Sequence, residues 1–135
     1  MYNSILIPVA LDHETLVAQK LVRAREMLAP GGKITLLTVL EQVSGFVAEF
    51  VTVKSENHLT TSILEKLEAV AADSSDIICK VITGKPGVQI ANYADENGIE
   101  LIIMGSQAPG ATDYVLGSTT ARVVRRAKCS VLVLR

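Results

Sequence analysis

The chain has 135 residues, enough for one domain with a buried core. Its net charge of −1, 4% aromatic content and lack of Trp exclude the overall basic or stacking character of common nucleic-acid binders. Apolar residues make up 49%, a surplus available to a subunit interface, yet no apolar run approaches the ~20 residues of a membrane helix. Met1 to Ser4 carries no basic leader region, so a cytoplasmic location is the expectation. Cys79 and Cys129 are far apart, with no C-x-x-C spacing, and His13 and His58 are isolated; buried thiols are expected, with no metal site.

Tyr2 to Ala10 is an apolar run suited to a strand covered on both faces, with Pro8 stopping ladder pairing near its end. Asp12 can cap a helix over 13–29, in which Val17, Leu21, Ala24 and Leu28 share a face, and Pro30-Gly31-Gly32 ends it. Lys33 to Leu40 is the second strand. Residues 41–54, broken by Gly45, form a flap or partly packed loop. A second helix spans 56–73 with Leu59, Ile63, Leu67 and Val70 inward. The third strand, Ile77 to Thr83, stops at Gly84. Pro86 starts a third helix and Gly98 terminates it. Leu101 to Met104 is the fourth strand, a fourth helix runs from Gly117 or Ser118 to about Ala127, and Cys129 to Leu134 is the fifth strand.

Strands and helices alternate throughout, which predicts a single α/β domain over 1–135: one parallel sheet with helices on both faces and right-handed crossovers. Ligands of such sheets lie beyond the carboxyl ends of the strands, where the winding reverses. The loops after strands one, two and four then form the candidate site. Gly117-Ser118-Thr119 presents backbone N–H groups and hydroxyls at a helix start, which suits a phosphate without a lysine, although the same residues also serve as ordinary helix caps. Gly105 and Gly110 in the preceding loop favour the phosphate. Val9, Val39 and Met104 lie near strand ends, either as core or as the walls of a slot for a flat ring such as adenine. Arg122 is within reach of a phosphate at that helix start, while Arg125 and Arg126 complement the helix dipole. Asp12 is a cap, or a contact to ribose or Mg²⁺. No catalytic residues are assigned: the chain has no Ser-His-Asp set, no G-x-x-x-x-G-K-[ST] and no paired carboxylates in a plausible loop.

Five segments stand out as a set: the opening Tyr2-Asn-Ser-Ile-Leu-Ile-Pro-Val, Gly84-Lys-Pro-Gly-Val-Gln-Ile, Leu101-Ile-Ile-Met-Gly-Ser, Leu116-Gly-Ser and Cys129-Ser-Val-Leu-Val-Leu. Together they resemble the universal stress protein family over essentially the whole chain. The resemblance implies a Rossmann-like five-stranded sheet in the order 3-2-1-4-5, usually dimeric and often binding ATP or AMP. The family's nucleotide pattern is G-x2-G-x9-G-[ST]. Gly105 matches its first glycine and Gly117-Ser118 its last pair, whereas Ala108 replaces the second glycine and the spacing is one residue short. Gln107 stands where a basic residue is common, and Ala10 where many members have an aspartate near adenine. This shortened loop is similar to that of the small F and G type members.

The nucleotide-contacting set implied is Pro8, Val9, Ala10, Val39, Met104, Gly105, Gln107, Ala108, Gly117, Ser118 and Thr119, with ATP or AMP as ligand, with or without Mg²⁺. Loss of the aspartate and the basic residue costs about 1–3 kcal/mol if each made a charged hydrogen bond. The fifth strand leaves an apolar edge, Val131-Leu132-Val133-Leu134, which antiparallel pairing with a second subunit would close. The expected function is a dimeric nucleotide-binding regulator of the stress response, with no nucleic-acid or membrane partner. The alternatives are a nucleotide-independent dimeric module and, lacking an evident general base, a slow ATPase or self-phosphorylating protein with Ser118 or Thr119 as acceptor.

Overall fold

The computed structural model describes residues 1–10, 17–41, 53–72, 74–106 and 116–135, with backbone alone for 53–58. Five strands, β1 (Tyr2–Pro8), β2 (Leu28–Leu40), β3 (Ile77–Thr83), β4 (Leu101–Gly105) and β5 (Ser130–Leu134), form one sheet in the order β3-β2-β1-β4-β5. Every neighbouring pair is parallel. Four described helices, α1 (Val17–Met27), α2 (Val53–Ala71), α3 (Pro86–Glu96) and α4 (Ser118–Arg126), complete the expected architecture. The predicted cap at Asp12, residues 13–16 of the first predicted helix and most of the 41–54 segment lie outside the described residues.

Both faces of the sheet are covered. Ile5, Ile7, Ile34, Leu36, Leu101 and Ile103 pack with Val17, Ala24, Ile63 and Leu67 from α1 and α2. On the other face Leu6, Leu37, Ile102 and Met104 pack with Ile90 and Ala94 of α3 and Val123 of α4. Successive side chains of a strand point to opposite faces, so the buried stretch of the central β1 needs consecutive apolar residues, and Ile5, Leu6 and Ile7 are all 0% exposed. The helix boundaries follow local chemistry. Pro86 occupies the first turn of α3, where its missing N–H costs nothing, and Gly98 leaves that helix with φ +63°.

Three local expectations are corrected. Pro30-Gly31-Gly32 does not separate helix from strand: α1 stops at Met27 and β2 begins at once, with Tyr2 opposite Leu28 and Ser4 opposite Lys33. Asn3 alone therefore faces residues 29–32, a bulge that Gly31 permits with φ +78°, and a Cβ on Gly32 would lie 3.0 Å from the Asn3 carbonyl oxygen. On α2, Ile63, Leu67 and Ala71 are buried, but Leu59 and Val70 are 48% and 39% exposed. That helix packs on β3, an edge strand, so only one side of its apolar arc has sheet beneath it.

On α1, the inward face is Val17, Lys20 and Ala24, with Leu21 half-buried and Lys20 only 8% exposed. Its aliphatic stem can cover apolar surface, but desolvation lowers the amine's pKa from the ordinary 10.5. A lowered folded-state value means that the unfolded chain holds the proton more tightly, so stability rises with pH between the folded value and 10.5. Lys20→Met should therefore be more stable than the wild type at neutral pH by urea denaturation. Its advantage should shrink as the pH is raised toward 10.5.

Candidate functional site

The crevice at the carboxyl edge of the sheet follows from the winding. Chain leaving β1 enters α1 on one face, and chain leaving β4 enters α4 on the other, so the two exits diverge between adjacent strands. The Val9 N–H donates to the Leu37 carbonyl at 2.7 Å, and the buried Thr38 hydroxyl donates to the Val9 carbonyl at 2.9 Å. The exit of β1 is thereby held against β2, with Pro8 half-buried and Ala10 exposed.

The exit of β4 is tied to the start of α4 by two bonds. Thr120 Oγ1 donates to the Gly105 carbonyl at 2.7 Å, and the Gly117 N–H donates to the Ser106 carbonyl at 2.9 Å. The Ser106 N–H donates in turn to Leu134 at 2.8 Å, which anchors the turn to β5. Gly105 and Gly117, twelve positions apart in sequence, are thus neighbours across one short polar bridge. Gly117 is the N-cap residue, with φ −55° and ψ 147°, and makes no side-chain cap bond. The N–H groups of Ser118, Thr119 and Thr120 have no carbonyl one turn earlier inside the helix. They remain a short row of donors at the positive end of α4.

The sequence reading assigned three donors to Gly117, Ser118 and Thr119. The first of these is used internally, and Thr120 takes its place in the row. Thr120, Ser106 and Thr38 are residues that sequence reasoning missed. A doubled threonine at a helix start was the available signal for Thr120, whereas nothing local marked the other two.

Val9 belongs to the apolar cluster on the α1 and α2 face, while Val39 and Met104 belong to the cluster on the α3 and α4 face. The sheet lies between them, and they share only its carboxyl edge. Gln107, Ala108, Gly110, Asp12, Asp113 and Tyr114 lie outside the described residues. Arg122 is exposed and its stem lies over α3: a Cβ on Gly87 would be 2.8 Å from Arg122 Cβ. Lys85 is exposed at the N-cap of α3.

Among the described residues no group of three or more His, Cys, Asp and Glu is placed to hold a metal ion. Burial raises the pKa of both half-buried thiols, with Glu68 adding to the effect at Cys79. At Cys129 a backbone hydrogen bond opposes the shift and Asp95 adds to it. Neither environment favours the reactive thiolate.

β5 is an edge strand, paired only with β4, and Val131 to Leu134 are half-buried. Because Leu134 opposes Gly105 and accepts from Ser106, its polar groups point inward. Alternation then aims the N–H and C=O groups of Val131 and Val133 at the free edge.

The profile of the universal stress protein family matches residues 1–135. Universal stress protein G of Shigella flexneri is 32% identical over the full length of both chains. Universal stress protein MJ0577 of Methanocaldococcus jannaschii is 28% identical, covering 100% of this chain and 96% of its own. The solved MJ0577 structure superposes with a TM-score of 0.78 over 99% of this chain and 96% of that one. A universal stress protein solved in complex with cAMP shares the fold at a TM-score of 0.68, with 24% identity and coverage of 99% and 97%.

The bond from Thr120 to Gly105 is the most direct test of how the site is assembled. Thr120→Val keeps the shape and removes the donor, and should cost about 1–2 kcal/mol in chemical denaturation. Amide exchange at Gly117 should speed up in the same variant.

Proposed function

Because the chain belongs to the universal stress protein family, we propose that it binds an adenine nucleotide, ATP or AMP, in the crevice between β1 and β4. We further propose that it acts as a cytoplasmic, dimeric regulator of the stress response. The observation that carries the first reading is the uncapped first turn of α4, held by its own hydrogen bonds beside the end of β4. Backbone donors and a helix dipole can hold phosphate oxygens without a lysine, and the Ser118 and Thr119 hydroxyls add further donors. An adenine ring seated on the carboxyl edge would meet Val9 from one face of the sheet and Val39 and Met104 from the other. Pro8, Ala10 and Gly105 would line the backbone around it, and Gln107 and Ala108 complete the proposed contacts.

A neighbour of the same fold solved with cAMP supports an adenine nucleotide as the ligand class. Ala10 supplies no carboxylate and Gln107 no charge, so the grip is mainly geometric. Mg²⁺, where present, would travel with the phosphates.

Calorimetry with ATP and AMP, with and without Mg²⁺, tests this reading. The folded protein should release binding heat at or below about 1 mM nucleotide. Gly117→Asp places a carboxylate at the N-cap, where it is compatible with the helix but repels phosphate, so affinity should fall at least about tenfold without loss of fold. Absence of heat from folded wild-type protein would sink the proposal.

The dimer reading rests on β5, through antiparallel pairing of its free edge with the same strand of a second subunit. Val133→Pro removes an outward N–H while leaving the bonds to β4 in place. Sedimentation should show a dimer for the wild type and a shift toward monomer for the variant.

A further inference from the structure

No acidic side chain follows Asp113, whereas five cationic ones do: Arg122, Arg125, Arg126, Lys128 and Arg135. Up to Asp113 the chain holds eight basic and fourteen acidic residues, so the near-neutral total conceals a basic final segment. Lys128 is paired with Asp95 at 3.4 Å. Arg122, Arg125 and Arg126 are all exposed on α4 and make no ion pair among the described residues. Thr120 and Val123 bury the opposite side of that helix, so the three arginines share its outer arc.

Helix stability does not account for this face. Arg125 and Arg126 in the last turn complement the dipole, but Arg122 sits at the midpoint of the helix, where a cation gains nothing from it. Arg122 is instead braced: Gly87 has no side chain, and the arginine's Cβ and Cδ would come within 2.8 and 2.9 Å of any Cβ placed there. A guanidinium whose stem is already ordered loses less freedom on binding than a free lysine.

We propose that the outer face of α4 docks a short acidic segment of another protein, through paired contacts of Arg122, Arg125 and Arg126 with carboxylates. Arginines spaced three and four residues apart sit about 5–6 Å from one another on a helix, a spacing that carboxylates at equal intervals on a second helix can match. A duplex or an anionic membrane would extend beyond this patch, and α4 carries no aromatic side chain to add stacking. A segment as short as α4 itself stays within the basic field.

Fluorescence anisotropy on the full chain tests the proposal. The probe is a labelled helical peptide with glutamates three and four residues apart. The comparison ligands are a duplex DNA of similar length and vesicles containing phosphatidylserine. The expected result is saturable peptide binding that weakens between about 0.05 and 0.3 M salt. It should fall at least about tenfold in Arg122→Gln/Arg125→Gln/Arg126→Gln, verified as folded by circular dichroism. Arg125→Gln/Arg126→Gln leaves the Arg122 stem in place and should fall between the two. No saturation by about 1 mM peptide, equal binding by the variants, or tighter binding to DNA or vesicles would overturn it.

Discussion

Burial of the central strand on both faces is the constraint from which the rest of the structure follows. With Ile5, Leu6 and Ile7 inaccessible, the backbone of β1 must find its partners in β2 and β4, and apolar helices must lie above and below it. Two neighbours running parallel to β1 require crossovers that move in opposite directions across the sheet, one toward β3 and one toward β5. The chain therefore leaves β1 and β4 on opposite faces, and a crevice opens between their ends. The site is a consequence of how the core is closed.

That crevice is finished by polar groups that the fold itself uses. Thr38 holds the exit of β1, and Thr120 and Gly117 hold the exit of β4 against α4. Each of these bonds satisfies a carbonyl at a strand end, which would otherwise depend on water. Their combined effect is to leave the next backbone donors on α4 without an acceptor among the described residues. A helix start with its own side-chain cap would have used those donors. Here the cap residue is glycine, and the helix is positioned by bonds behind it.

The departures from the sequence reading share a physical origin. Lys20 lies on the inward arc of α1 because a long aliphatic stem can pack like an apolar residue, although its head prefers water. Leu59 and Val70 fit the apolar period of α2 but face solvent, because the strand beneath that helix is the last of the sheet. Pro30-Gly31-Gly32 has the chemistry of a stop signal, yet the same glycines allow the backbone to bulge and continue pairing with β1. In each case local chemistry set what a residue can do, and the neighbour supplied by the fold decided which option was used.

The sequence by itself determined the alternation of strands and helices, the boundaries at Pro86, Gly98 and Ser118, and the family. These depend on periodicity and on residues whose backbone preferences are local. It also located Gly105 and Gly117-Ser118 as the two ends of one loop. Only the tertiary structure decided that Gly117 spends its N–H on Ser106, that Thr120 joins the donors of α4, and that Val9 lies across the sheet from Val39 and Met104. It likewise placed the stem of Arg122 over Gly87. Those outcomes depend on which groups from distant segments meet, and no spacing along one chain records that.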